Sequence, residues 1–330
     1  MGRWTGVLRV SLNPNNSRVH FKVAVSLCFS PSSKTLIVPS ANAIFFNGDR
    51  IEGTGNPVIE KLSNLQNIAD ILVSKLGSSV NAWVVEASTF NGPFAIYKEF
   101  FRSASSYGEP KSYDSYGFPA STSTFLLLWR TLEEVKKVIS GRQEPSPVNS
   151  SASCSHQPKT IIFGFSKGGT VLNQLVTELA YSKLETPVVS ATQRRENPSG
   201  GNVLGIHEEN QIIPSSKESL LNSIFEVHYV DVGLNSAGAY LTDGSIIERI
   251  ANRMALGAAG IRFVLHGTPR QWCDSRRPRI RDEKDRLYQL LEDAELKTEG
   301  KLQVSKRLYF VDRPPDLQMH FEIIEIFEIS

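Results

Sequence analysis

The sequence predicts an α/β fold: a mostly parallel central sheet with helices on both faces and a β-hairpin at the N-terminus. Three observations carry this. Apolar, β-branched runs at 43–46, 82–86, 160–163, 225–230 and 261–265 alternate with segments of helical period. Right-handed crossovers between parallel strands turn such alternation into a sheet covered on both sides. Near the start, Val19, Phe21, Val23, Val25 and Leu27 alternate with His20, Lys22, Ala24 and Ser26, a strict period of two. Finally, Gly164-Phe165-Ser166-Lys167-Gly168 lies between a strand pattern and a helix pattern.

The elements follow in order. Leu8, Val10 and Leu12 form a shorter alternating run, and Asn13-Pro14-Asn15-Asn16 reads as the turn of the hairpin. No acidic residue precedes Asp49, whereas Arg3, Arg9, Arg18, Lys22 and Lys34 do. That charge bias is also the composition of an organelle-addressing segment. The strand at 43–46 runs into Asn47-Gly48-Asp49-Arg50. A helix is predicted over 57–76, capped by Asn56, opened by Pro57 and ended by Gly77. Leu62, Leu65, Ile68, Ala69 and Leu72 fall on one face of it. After the strand at 82–86, a loop rich in Gly, Ser, Tyr and Pro covers 103–121. A helix over 123–140 turns Phe125, Trp129, Leu132 and Val135 inward.

Beyond 160–163, a helix at 168–179 buries Val171, Leu172, Leu175, Val176 and Leu179. A helix at 245–254 separates the strands at 225–230 and 261–265. A charged helix at 282–296 and a last strand near 308–311 follow, and His320 precedes an apolar-periodic tail at 321–329. Residues 141–158 and 186–216 read as insertions into one domain spanning 1–330.

Bulk properties exclude more than they assign. With 36 Lys and Arg against 34 Asp and Glu, the net charge gives no ground for nucleic acid as a partner. Cys28, Cys154 and Cys273 are odd in number and widely spaced. They suit neither a disulfide framework nor a zinc site. No apolar run approaches the roughly 20 residues of a membrane span. Neither Gly-x-x-x-x-Gly-Lys-Ser/Thr nor Gly-x-Gly-x-x-Gly occurs, so no nucleotide cofactor is implied, and no metal.

Gly-x-Ser-x-Gly fixes only three positions, so its flanks decide its meaning. Thr160-Ile161-Ile162-Phe163 leads in, and Gly168-Gly169 opens an amphipathic helix. A strand–turn–helix junction is the context of a nucleophile elbow, the hallmark of α/β-hydrolase-like folds. Such a serine is held in strained backbone, and small neighbours let strand and helix approach. The next amide, that of Lys167, then points at a developing oxyanion. The other reading is a Gly-rich turn with an inert serine.

An elbow serine needs a base and an orienting acid, in the chain order Ser, Asp or Glu, His. The downstream histidines are His207, His228, His266 and His320. His207 falls in an insertion, His228 inside a strand pattern, and His266 at a strand end. His320, after the last strand, is the favoured base. Asp231 ends the strand at 225–230, where parallel sheets collect their chemistry, and is the favoured acid. Asp243 and Asp274 are its rivals, with Asp312 an outside choice. The loop at 47–50 offers the second oxyanion donor through Gly48 and Asp49. Arg270, Arg276, Arg277, Arg279 and Arg281, with Trp272 among them, read as a solvated loop, or as a surface for an anionic substrate or partner.

Several segments together resemble a eukaryotic family of uncharacterised α/β-hydrolase-like proteins whose animal members are associated with mitochondria. They are 43–49, Gly164-Phe165-Ser166-Lys167-Gly168 followed by Val171-Leu172-Asn173-Gln174-Leu175, and His266-Gly267-Thr268-Pro269 before Trp272. The resemblance runs from about Ala43 to Phe327, and the Ser/Pro insertions are those expected of a plant-type member. It implies the fold more firmly than an activity, and it supports Ser166, Asp231 and His320 as the triad. It departs at the acid, because only His266 and Gly267 stand at the end of the strand 261–265.

Two classes of function therefore stand. One is a serine hydrolase of a small ester, thioester or lipid-like acyl substrate, with Ser166 as nucleophile, His320 as base, Asp231 as orienting acid, and the Lys167, Gly48 and Asp49 amides holding the oxyanion. The alternative is a non-catalytic scaffold or regulatory protein of the same fold, with a protein partner. The compartment expected is mitochondrial, with the cytosol as alternative.

Overall fold

A computed structural model describes residues 2–13, 19–141, 157–184 and 212–329. Eight strands carry the main sheet: β1 (Gly2–Val10), β2 (Phe21–Ser30), β3 (Ala41–Phe46), β4 (Val80–Glu86), β5 (Lys159–Phe165), β6 (Ile224–Val230), β7 (Ile261–Gly267) and β8 (Leu302–Leu308). Their order is β1-β2-β4-β3-β5-β6-β7-β8, and the short strand Thr35–Leu36 pairs with β2. The β1–β2 and β2–β4 pairings are antiparallel. All pairings from β4 to β8 are parallel. This is the α/β-hydrolase-like sheet: mostly parallel, with an N-terminal antiparallel hairpin.

Nine helices are found among the described residues: α1 (Pro57–Ser63), α2 (Leu65–Leu76), α3 (Pro119–Ser140), α4 (Gly169–Tyr181), α5 (Lys217–Ser223), α6 (Gly244–Ala255), α7 (Pro269–Trp272), α8 (Pro278–Lys297) and α9 (Leu317–Ile326). Side-chain alternation along the strands splits the core in two. Ile44 and Phe46 face the layer built by α3, α4, α5, α6 and α8. Ala43 and Phe45 face α1, α2 and α9. β3 and β5 are buried on both faces, which is why they read as continuous apolar runs.

The N-terminal hairpin pairs Gly2 with Phe29 through to Val10 with Phe21. Its turn, predicted at 13–16, lies beyond Asn13 outside the described residues. Arg3 is built into the sheet: Nε donates to Ser26 Oγ (2.8 Å) and the guanidinium also reaches Ser78 O and Val80 O. Of the insertions expected at 141–158 and 186–216, residues 142–156 and 186–211, with Cys154 and His207, also lie outside the described residues, whereas Ile212 and Ile213 are buried in the core rather than looped out. No helix among the described residues is long and apolar enough to cross a membrane.

Several boundaries differ from expectation, each for a local reason. The helix at 57–76 is two helices, because Asn64 leaves helical backbone and its side chain accepts from Gln66 N and Asn67 N to cap the second. The loop at 103–121 ends early, at α3, and a small hairpin (Thr89–Asn91 with Phe94–Ile96) precedes it. The α3 stripe centres on Leu127, Leu128, Leu132 and Val135, with Phe125 and Trp129 only partly buried. The last strand is β8, not 308–311. As a sheet edge it is half exposed, so its Leu302-Gln303-Val304-Ser305-Lys306 run lacks an apolar pattern. His320 lies inside α9 rather than before it. Asp316 Oδ1 accepts from Met319 N at 2.7 Å and caps this helix.

Candidate active site

The C-terminal end of β5 turns sharply at Ser166. This residue has φ +52, a left-handed backbone conformation rare for a residue with a side chain. The surrounding glycines are required by contact. A Cβ on Gly164 would come within 2.7 Å of Gly169 Cα, and one on Gly168 within 2.0 Å of Phe46 O. One on Gly169 would meet Val232 at 2.4 Å. The strand, the turn and α4 thus pack at a distance only glycine permits.

Gly48, in the loop after β3, lies directly against the turn. A Cβ there would sit 2.5 Å from Ser166 Cβ and 3.1 Å from Ser166 Oγ. This loop is fastened from both sides. Asn47 N donates to Val85 O, and Arg50 N to Pro93 O. Tyr97 Oη donates to Asn47 O at 2.7 Å, with Val85 O at 3.0 Å. Burial holds the Tyr97 phenol well above its usual pKa, so it stays a donor. Between the fixed points, the Gly48 and Asp49 amides make no hydrogen bond among the described residues.

Asp231 follows β6 with φ +44 and is fully buried. Its amide donates to His266 O at 2.8 Å. Its carboxylate accepts from Thr268 N (2.7 Å, Oδ1), from Thr268 Oγ1 (3.0 Å, Oδ2) and from His320 Nδ1 (2.6 Å, Oδ2). An ionised carboxylate is acceptor-only, so Nδ1 of His320 carries a proton and the lone pair of a neutral ring is at Nε2. The His320 ring stacks on Phe165 with centroids 4.6 Å apart, which sets it beside the residue that precedes Ser166. Its Nε2 has no hydrogen-bond partner among the described residues, and neither has Ser166 Oγ. Ser166 Oγ and His320 Nε2 thus make no hydrogen bond to each other, a geometry that does not by itself rule out a candidate base.

The rival acids are elsewhere engaged. Asp243 caps α6. Asp274 pairs with Arg276 and Arg277, and hydrogen bonds from Arg276 hold its pKa at about 2. Asp312 is exposed. His228 and His266 form a separate pair: His228 Nδ1 lies 3.0 Å from His266 Nε2, and His228 Nε2 2.9 Å from Glu226 Oε2. Burial lowers the pKa of both rings. Within the arginine-rich segment, Arg279 donates to Asn235 O and Arg277 to Arg270 O.

Sequence reasoning missed Thr268, whose amide and hydroxyl together fix the Asp231 carboxylate. Its signal was its place just past the end of β7. The Lys167 ammonium was also missed; it is buried 3.0 Å from Asp49 Oδ1. Among the described residues, no group of three His, Cys, Asp or Glu side chains could hold a metal ion. A cavity of about 350 Å³ lined by Leu221, Ile224, Arg253, Met254 and Ile261 opens where β6 and β7 begin, the opposite end of the sheet from Ser166.

Comparison with known proteins gives related chains of low identity. No protein-family profile matches the chain. It is similar to the mouse protein named mitochondrial protein C2orf69 homolog, with 23% identity over 301 residues, 80% of this chain and 70% of the mouse protein. The zebrafish protein of the same name is 24% identical over 252 residues, 74% of this chain and 59% of its own length. The chain thus spans less than two thirds of the zebrafish relative. Among solved structures, it is similar to a ferulic acid esterase (TM-score 0.44, 13% identity, 99% of this chain and 97% of that one). A second is the BES protein from Bacillus cereus (TM-score 0.42, 12% identity, 98% and 97%). A third is the siderophore hydrolase EstB from Aspergillus nidulans (TM-score 0.39, 11% identity, 97% and 91%). At such scores these structures bear on neither substrate nor mechanism; the relatives the chain matches in sequence are the animal proteins named mitochondrial protein C2orf69 homolog.

Proposed function

We propose that this chain is a serine hydrolase of ester, thioester or lipid-like acyl substrates, acting through Ser166, His320 and Asp231. The observation that carries the reading is the 2.6 Å contact of His320 Nδ1 with the buried Asp231 carboxylate, beside a serine in left-handed backbone. Asp231 holds the imidazole in the tautomer whose Nε2 accepts a proton. On substrate binding, Nε2 takes the Ser166 hydroxyl proton while Oγ attacks the acyl carbon. The carbonyl oxygen becomes an oxyanion held by the amides of Lys167 and of Gly48 or Asp49. His320 then gives its proton to the leaving oxygen or sulfur. A water, deprotonated in turn by His320, releases the acid and frees Ser166.

The reading extends to place: by the name of the animal relatives, we assign this chain to mitochondria. A fluorescent fusion of the full chain that stays cytosolic contradicts that assignment. The activity is tested with p-nitrophenyl esters and acyl thioesters of increasing chain length, using wild type and Ser166→Ala. Turnover preceded by a burst of one product per active site is expected for the wild type alone. A folded wild type that turns over none of the series favours the scaffold reading.

A further inference from the structure

Lysine is almost never fully buried unless paired, yet Lys167, the residue after the candidate nucleophile, is 2% exposed. Its Nζ lies 3.0 Å from Asp49 Oδ1, donates to Tyr107 O at 2.9 Å and stands 4.7 Å from the centre of the Phe94 ring. Asp49 Oδ1 also accepts from Ala95 N at 2.8 Å. One ammonium therefore joins the serine turn, the loop after β3, and the loop that carries Tyr107. The first two are the segments whose amides, in the reading above, hold the oxyanion.

We propose that the ion pair of buried Lys167 with partly exposed Asp49 is a positioning clamp that sets the distance between the two groups of oxyanion-holding amides. The inference rests on the hydrolase reading. Oxyanion donors work only when fixed about 2.7–3.1 Å from where the charge develops. Asn47 and Arg50 are tied to β4 and to Pro93, but these ties fix the loop to the sheet and the small hairpin, not to the serine turn. The Asp49 carboxylate makes that connection. Neither side chain touches the reacting atoms; both act through their own backbones.

A purely structural pair and a clamp respond differently to substitution. Removing Asp49 leaves the buried Lys167 charge uncompensated and destabilises in either case, whereas removing both with apolar residues restores stability. Only a clamp also loses rate in the restored protein. The experiment uses the full chain as Lys167→Met, Asp49→Leu and the double variant; each keeps its backbone amides. Thermal midpoint, amide exchange at Asn47 and Arg50, and the rate of covalent labelling by a fluorophosphonate are measured together. Asp49→Leu, which strands the buried ammonium, should melt well below wild type, Lys167→Met less so because Asp49 is partly exposed, and the double variant close to wild type. The double variant should exchange faster at Asn47 and Arg50 and label about 10²-fold more slowly. In ester turnover its kcat should fall with KM unchanged, since the oxyanion exists only in the transition state. A folded double variant that labels at the wild-type rate overturns the clamp, and so does unchanged exchange. If wild type is not labelled at all, the hydrolase reading fails and the exchange result alone decides the clamp. If the double variant does not fold, Asp49→Asn decides. It keeps an acceptor but not the charge, and its labelling should fall about tenfold; a wild-type rate overturns the proposal.

Discussion

His320 and His228 lie on the same face of one sheet, and each has a carboxylate partner: Asp231 at 2.6 Å for one, Glu226 at 2.9 Å for the other. Each stacks on a phenylalanine of β5, His320 on Phe165 and His228 on Phe163, with centroids 4.6 and 4.5 Å apart. They differ at the second nitrogen. His228 Nδ1 meets His266 Nε2, and His266 Nδ1 meets Tyr309 Oη at 3.1 Å, so that chain is saturated within the protein. His320 Nε2 has no partner among the described residues, and it stands where the strands end rather than within them. Burial and a carboxylate make a histidine structural when both nitrogens are occupied. A base needs one nitrogen left open beside the group it serves.

The largest effect expected from this contrast is at His320. His320→Ala should lower ester turnover by about 10⁶-fold, and Asp231→Asn by about 10⁴-fold, because the amide stabilises the wrong tautomer. His228→Leu should leave turnover unchanged. Equal losses at His320 and His228 would erase the distinction. Next in size is Gly48→Ala. Its new Cβ would lie 2.5 Å from Ser166 Cβ, and displacing the nucleophile by about 1 Å costs about 10²-fold. Normal activity in that variant would remove the loop at 47–50 from the site.

The saturated pair predicts stability rather than rate. His228→Leu takes the partner from Glu226 Oε2 and from His266 Nε2, although Glu226 keeps Arg262 and His266 keeps Tyr309, and should cost about 1–3 kcal/mol in urea unfolding. The pH dependence follows from the lowered pKa of both rings. Below about pH 6.5 the unfolded histidines take protons and the folded ones do not. Stability is then fully present above 6.5 and declines as pH falls towards the folded pKa, by up to about 1.4 kcal/mol per unit for each ring. Glu178, raised by burial, contributes the opposite slope above about pH 4.5, so wild type and variant are compared at each pH. The variant should show the flatter decline between pH 6.5 and 5; parallel curves would contradict the assignment. The smallest effect is at Asp274, paired with the exposed Arg276 and the partly buried Arg277: Asp274→Asn should keep the wild-type turnover.

The contrast also marks how far sequence carries. β3 and β5 were legible because strands buried on both faces are unbroken apolar runs. The serine turn was legible because its glycines are fixed by contact with Phe46 and Gly169. β8 was not, because an edge strand with one face in water has no such run. Asp231 and His320 could be chosen as candidates from their places after β6 and near the chain's end. Their pairing, the hold of Thr268 on the carboxylate, and the Lys167–Asp49 contact join residues 37 to 118 positions apart. Contacts at that separation leave no local periodicity. The tail at 321–329 showed its apolar period, but Asp316 as the cap that draws His320 into the helix was overlooked, although Asp is among the preferred capping residues.

The central claim is that Ser166 is activated by His320 held by Asp231. The most direct test is to treat the full chain with a fluorophosphonate and locate the adduct by peptide mass spectrometry, beside Ser166→Ala, His320→Ala and His228→Leu. The account predicts one adduct on Ser166 in wild type and in His228→Leu, and none in the other two. A folded wild type without an adduct, or an adduct that survives His320→Ala, would contradict it.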